Sequence, residues 1–343
     1  MSFCIRLAIA SAVSAASLVA QQPTLTVQQS GSTALFQAVS VSARNPDVVW
    51  ISGHAATWAR TTDGGRTWQS HTMTGRDSLQ FRDLHAIDAD RAWLMAAGNG
   101  EKSGIFQTVD GGATWAPVFV NRDSAAFYDC MAFWDDQTGF AFSDAVNARM
   151  PIARSVNGRD WTVTTMPALD AEGGFAASGT CALATATGDT WIGTGSAATP
   201  RVLRSADRGQ TWAAATVPLV AGSGAGITGL AFRDRLNGVA VGGVIAGKAT
   251  GPRAARTRDG GATWTVVADP MISGAAYGAA YGSSVGGKAV LIAVGPGGAA
   301  YSLDDGDGWT VLDVAPYWSV GFASNGAAWL VGPKGRVVRV DWR

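Results

Sequence analysis

The stretch Thr61-Thr-Asp-Gly-Gly-Arg-Thr-Trp68 decides the fold, because it returns five more times along the chain. Its copies are Thr108-Val-Asp-Gly-Gly-Ala-Thr-Trp115, Ser155-Val-Asn-Gly-Arg-Asp-Trp161 with one residue deleted, Ser205-Ala-Asp-Arg-Gly-Gln-Thr-Trp212, Thr257-Arg-Asp-Gly-Gly-Ala-Thr-Trp264 and Ser302-Leu-Asp-Asp-Gly-Asp-Gly-Trp309. The Trp spacings are 47, 46, 51, 52 and 45 residues. Such a period marks a repeat architecture, in which each unit buries its apolar faces only against its neighbours. Asp63, Asp110, Asp207, Asp259 and Asp304 are expected to fold the turn by accepting bonds from backbone N–H groups one and two residues on. Gly supplies positive φ there, and the Ser or Thr hydroxyl bonds within the same turn. Trp68, Trp115, Trp161, Trp212, Trp264 and Trp309 then pack into the sheet. This is a folding role, not a chemical one.

A second repeat lies roughly 20 residues upstream of each box, by the strand-and-turn spacing expected of such units. Its copies are Val49-Trp50-Ile-Ser-Gly53, Ala92-Trp93-Leu-Met, Gly139-Phe140-Ala-Phe-Ser-Asp144, Thr190-Trp191-Ile-Gly, Gly238-Val239-Ala-Val-Gly, Val290-Leu291-Ile-Ala-Val-Gly and Ala328-Trp329-Leu-Val-Gly332. Each period then holds four candidate strands, the pattern of a β-propeller blade. The seventh repeat, Trp318 to Trp342, has only three. The N-terminal run Thr24-Leu-Thr-Val-Gln-Gln29 can supply its fourth and close the ring. The predicted fold is therefore all-β, a seven-bladed propeller of four-stranded antiparallel blades in one domain over residues 21–343.

The box Ser/Thr-x-Asp-x-Gly-x-Thr-Trp resembles the Asp-box, or BNR repeat, of sialidases, xyloglucan-degrading hydrolases and non-catalytic propellers. The chain is most similar to propellers of the photosystem II stability and assembly factor type, over all of residues 21–343. That resemblance implies a seven-bladed fold and a protein-binding, assembly-related role. The shortened box at Trp161 and the absent box of the last blade depart from the pattern.

Composition narrows the function classes. The 343 residues are 47% hydrophobic and 15% charged, with 26 Lys and Arg against 26 Asp and Glu, so no basic field exists to recruit nucleic acid. Gly at 44 and Trp at 14 suit short strands and tight turns. Residues 1–20, with Arg6 ahead of the apolar run Leu7 to Ala20, read as a secretory signal peptide, too short to span a membrane. The expected location is periplasmic or secreted. A closed ring without a free sheet edge is expected to be a monomer that does not span a membrane.

Cys130 and Cys181 each lie 31 residues before their box Trp, which puts them at equivalent points of neighbouring inner strands. In an exported protein that register predicts a disulfide, with two separate buried thiols as the alternative. Blades two to four also depart from the repeat where inner strands begin. Phe81-Arg82-Asp83-Leu84-His85 opens one strand and Phe127-Tyr128-Asp129-Cys130-Met131 the next, with Asp144, Glu172 and Ser178 in the loops beside them. Polar groups at a channel mouth suit a protein client, a polar small molecule or a glycan. Arg82, His85, Tyr128 and Ser178 are the candidate ligand-binding residues. The bland alternative pairs Arg82 with Asp83 and makes His85 structural. Arg60, Arg154, Arg204 and Arg256 precede boxes at matching positions and are expected to bond between blades.

Glycoside hydrolysis needs two carboxyls ~5–9.5 Å apart, one with a raised pKa. Asp83, Asp129, Asp144 and Glu172 are the candidate catalytic residues. The Arg-Ile-Pro segment expected of sialidases is absent, its nearest match being Arg149-Met150-Pro151. Gly224-Ala225-Gly226-Ile227-Thr228-Gly229 opens a strand rather than a helix, so no dinucleotide cofactor is expected. His54, His71 and His85 have no ligand spacing, so no metal is expected. The first reading is a non-catalytic exported binding propeller; the second is a glycoside hydrolase of the Asp-box type.

Overall fold

The structure, a computed structural model, describes residues 22–342 except 246 and 249, with 283 and 284 described as backbone only. The expected signal segment, residues 1–20, lies outside the described residues. The described residues form seven four-stranded antiparallel sheets. Among the described residues the helical content is a single turn, Gly100–Lys102. Blade III runs Tyr128–Phe133, Gly139–Ser143, Arg149–Ser155 and Trp161–Pro167 from the axis outward, and blade IV runs Ala182–Ala184, Thr190–Gly193, Arg201–Ser205 and Ala213–Thr216. Blade VII is built from Ser319–Phe322, Ala328–Val331 and Arg336–Asp341, with Thr24–Gln29 as its outer strand. Pairing runs from Thr24 opposite Asp341 to Gln29 opposite Arg336, so the ring is closed by the N-terminal strand.

The second strands, such as Val49–Gly53 and Ala92–Ala96, are buried throughout. They lie between two blades and therefore show no polar alternation. Their tryptophans tie blade to blade: the Trp50 indole N–H donates to the Asp88 carbonyl at 3.0 Å, Trp93 to Gly158 at 2.8 Å and Trp191 to Gly260 at 2.8 Å. Arginines of the third strand do the same. Arg60 donates to the Ala89 carbonyl, Arg256 to Asp307 at 2.7 Å and Arg339 to the Gly64 carbonyl at 2.9 Å.

The box turns are built differently from the sequence expectation. Asp63 reaches four residues along: its Oδ1 accepts the Thr67 N–H at 2.9 Å and its Oδ2 the Thr67 hydroxyl at 2.7 Å. The Thr61 hydroxyl accepts the Gly65 N–H at 2.9 Å and donates to Asp63. Gly64 and Gly65 both have positive φ, 71° and 83°, which curls residue 67 back over the carboxylate. Asp110, Asp207 and Asp259 repeat the pattern, and Asp304 accepts the Gly308 N–H in the same way. The shortened turn has one such glycine, Gly158, and Asn157 reaches only two and three residues on, to Arg159 and Asp160.

Every box joins the third strand of a blade to the outer one, so all lie on one face of the ring. The opposite face carries the starts of the inner strands and the loops that enter them.

Candidate functional site

That opposite face is shaped by a recurring irregularity. The inner strands of blades I, II, III and V slip register by one residue, between 36 and 38, 81 and 83, 128 and 130, and 227 and 229. Such a bulge leaves one residue unpaired and re-aims its side chain. Arg82 and Asp129 are the bulge residues of blades II and III, and both turn to the mouth. There they line a cleft of about 420 Å³ with Phe127, Asp144, Glu172 and Ser196. Two non-glycine residues with positive φ, Ala171 and Ser196, are part of its lining. Backbone of this kind persists where the surroundings over-determine it.

Asp129 and Asp144 face each other across the floor of the cleft and share a hydrogen bond. Asp129 is 2% exposed, and its Oδ2 is buried with no donor from the rest of the protein. Burial, the Asp144 charge and the bond to Asp144 push Asp129 well above the usual carboxyl range. Burial also raises Asp144, to about 6. The two carboxyls titrate as a unit. The Gly174 N–H donates to Asp144 Oδ1 at 3.0 Å. Gly173 and Gly174 permit this approach, since a Cβ on Gly173 would sit 1.9 Å from Asp144 Oδ1 and one on Gly174 2.8 Å from the Asp129 Cβ.

Glu172 is fully committed elsewhere. Its Oε1 accepts the Thr194 hydroxyl at 2.7 Å and Arg201 Nε at 2.9 Å, while Oε2 accepts the Leu169 N–H at 2.8 Å and a second Arg201 nitrogen. With 1% exposure it clamps the loop that forms one cleft wall and offers no lone pair to a substrate.

Arg82 does not pair with Asp83, because the bulge sends them in opposite directions. Arg82 bonds Gln80 Oε1 at 2.9 Å and lies over the Phe127 ring. Asp83 points into the ring, where it accepts the Leu84 and Met131 N–H groups at 2.7 Å each, and burial pushes its pKa well upward.

The remaining candidates are not brought to the cleft. His85 lies lower on its strand, stacked on Phe133 at 4.5 Å, where burial lowers it to about 4. Tyr128 packs edge-on against Phe119 at 5.0 Å, facing a separate, largely apolar groove between blades II and III. Ser178 leaves the blade altogether. Its hydroxyl donates to the Tyr277 carbonyl at 2.8 Å and its carbonyl accepts from Ser319 at 2.7 Å, while Leu230 N–H donates to the Thr180 carbonyl at 2.8 Å. Gly179 packs on Asp83. One segment of blade IV thus touches blades II, V, VI and VII, so residues 178–180 fill the axis and the central channel is plugged. Cys181, next along, is bonded to Cys130 with a Cα separation of 6.0 Å.

Arg201 and the Gly173-Gly174 wall escaped the sequence reading. The doubled glycine was the available signal; nothing local ties Arg201 to Glu172. Among the described residues no group of three or more potential metal ligands occurs, and no helix is long and apolar enough to cross a membrane.

The ring, the plugged axis and the acidic mouth define a seven-bladed propeller with a closed centre and a polar face cleft. No family model and no curated protein matches the chain. Among solved structures it is similar to "YCF48 bound to D1 peptide", at 16% identity and TM-score 0.62, over 92% of this chain and 96% of that one. It is similar to YCF48 from Cyanidioschyzon merolae at 13% identity and TM-score 0.65, over 92% and 98%. A GH74 xyloglucanase from Xanthomonas campestris matches at 13% identity and TM-score 0.62, over 91% of this chain and 53% of that one. These likenesses are of fold.

Proposed function

We propose that this protein is an exported, non-catalytic propeller that holds a segment of a partner protein in the mouth cleft of blades III and IV. One observation carries the reading. Asp129 and Asp144, the two cleft carboxyls outside the Glu172–Arg201 clamp, are close enough to share a hydrogen bond, whereas glycosidases keep their carboxyls ~5–9.5 Å apart to admit the scissile bond. Glu172, the third carboxyl, is sealed in its clamp with Arg201. A structurally similar propeller of nearly the same length is described as bound to a peptide, which supports a protein segment as the ligand. The signal-like residues 1–20 and the Cys130–Cys181 bond suit an oxidising, extracytoplasmic location.

A second reading, glycoside hydrolase, draws on the desolvated Asp144, raised to about 6 as a general acid would be. The xyloglucanase neighbour is about twice as long, so one such ring would work without the second half.

The test is an affinity pull-down of the tagged protein from detergent-solubilised envelope of its host, beside a polysaccharide-hydrolysis screen of the same preparation. A stoichiometric partner with no turnover is expected. Turnover that disappears in Asp144→Asn, without a captured partner, would replace the binding reading by the hydrolase one.

A further inference from the structure

We infer that the outer strand of blade III, Trp161–Pro167, accepts an extended segment of another protein as a fifth strand, one that carries apolar side chains on one face and acidic ones on the other. This surface is separate from the mouth cleft and does not depend on what that cleft holds. The strand pairs with Arg149–Ser155 without a break over all seven of its residues. The Ala168 N–H donates to the Ala148 carbonyl at 3.0 Å, which sets the alternation of the ladder. Thr162, Thr164 and Met166 therefore exchange bonds with the blade, and the main-chain groups of Trp161, Val163 and Thr165 point away from it. Such an edge is a template for another strand, and proteins blunt it with shortness, charge, proline or a bulge. Most outer strands here are blunted in that way. Gln69–Thr72, Ala213–Thr216 and Thr265–Val266 have four residues or fewer. Ala116–Val120 carries Pro117 and a slip of register, and Thr310–Asp313 a slip and a charge. Thr24–Gln29 is unblunted, and Trp161–Pro167 adds to its open edge a groove on each face. Arg149 shields one end of it, donating to the Thr165 hydroxyl at 2.7 Å and carbonyl at 3.2 Å. The open run is thus the N–H and C=O of Trp161 and Val163 and the N–H of Thr165.

A strand laid beside this edge sends alternate side chains to the two grooves that flank it. On the blade II side, Trp161 and Val163 line a groove of about 570 Å³ with Val118, Phe119 and Tyr128, a seat for apolar side chains. On the blade IV side, Thr164 and Met166 line one of about 680 Å³ whose charged residues are two arginines, Arg154 and Arg201, with no carboxylate. Arg201 is matched by Glu172. Arg154 is unmatched: its guanidinium lies 5.5 Å from the Trp134 ring centroid and finds no acceptor among the described residues. Its repeat mates show why. Arg339 and Arg60 come to rest against Gly64 and Gly111, each the first glycine of the next blade's box. In blade IV that position is Arg208, which bonds Asp135 at 3.0 Å and Thr138 at 3.3 Å across the same seam. Arg154 keeps its charge and its donors, and a carboxylate matches both. A second copy of this chain would bring its own Trp161–Pro167, which has no acid, and would leave Arg154 as it is.

The experiment is amide hydrogen exchange, followed by NMR on the 15N-labelled protein, with an acetylated and amidated octapeptide of alternating valine and glutamate as the probe. At saturation the Trp161, Val163 and Thr165 amides are expected to exchange about tenfold more slowly or slower still, while Thr162, Thr164 and Met166, already bonded within the blade, keep their rates. The N-methylated peptide, which lacks main-chain donors, is expected to protect none of them. Val163→Pro deletes an outward N–H and no ladder bond, and is expected to weaken the peptide about tenfold; should that variant not fold, the N-methylated peptide decides. A valine–lysine octapeptide is expected to bind about tenfold more weakly than the valine–glutamate one, and Arg154→Met to abolish the difference. Unchanged exchange at Trp161, Val163 and Thr165, or equal protection by the N-methylated peptide, would overturn the open edge as the docking site. Equal binding of the lysine peptide would overturn the acidic partner. Slowing of the same amides in the protein alone, growing with its concentration, would put a second copy on the edge and overturn the partner segment.

Discussion

Asp63 is held at about 2 by the Thr67 N–H and hydroxyl, and Asp110 likewise by the Thr114 hydroxyl and N–H. At the mouth burial acts in the other direction, raising Asp144 to about 6. The two groups give stability opposite pH slopes. A depressed carboxyl contributes stability above its unfolded pKa, near 3.8, and loses it as pH falls toward 2. A raised carboxyl contributes below that unfolded value, and the contribution is lost as pH rises through about 6. Urea midpoints measured from pH 2 to 8 should therefore peak between about pH 4 and 5 on this account. Asp144→Asn should flatten the fall above the peak and leave the acid limb unchanged; an unaltered upper limb would place Asp144 outside the pair.

Strands and turns are where the sequence was most legible. A box repeated every 45–52 residues leaves little freedom for the elements between, and the equal offset of Cys130 and Cys181 translated directly into a bonded pair of inner strands. The mouth was less legible. Whether Arg82 or Asp83 faces the cleft depends on a one-residue slip, and a slip reverses the side-chain alternation. Local propensity does not encode it. The Glu172–Arg201 clamp joins residues far apart in sequence and depends on the fold being in place. The axis plug was hidden for the same reason, since Ser178 finds its partners on blades VI and VII.

Two element-scale consequences can be measured. The disulfide closes a loop of separation 51, which chain entropy values at about 4 kcal/mol; chemical unfolding of Cys130→Ser/Cys181→Ser should show a loss of that order, and a loss below about 1 kcal/mol would mean the plug holds without it. Gly179 has φ +73° and no room, a Cβ there meeting Asp83 Oδ1 at 2.5 Å. Gly179→Ala should cost about 1–3 kcal/mol or more.

At the scale of the whole molecule, the ring depends on its seam. Gln28 of the N-terminal strand accepts the Trp68 and Trp329 indole N–H groups at 3.1 Å each and donates to the Gly64 carbonyl at 3.3 Å. Gln28→Ala strands two part-buried donors and should cost about 1–3 kcal/mol. Deleting residues 22–29 bares the inner, apolar edge of Arg336–Asp341, and unpaired edges associate; size-exclusion chromatography should show more self-association than the intact protein gives. With the axis plugged and the boxes confined to the opposite face, we assign recognition to the mouth beside blades III and IV. Site-specific photo-crosslinking in the host tests that most directly, with a benzoylphenylalanine at Ala145 on the cleft wall and, as control, at Arg66 in a box turn. The prediction is one partner band from position 145, abolished by Asp144→Asn, and none from position 66. Equal crosslinking from both faces, or a band from position 66 alone, would contradict it.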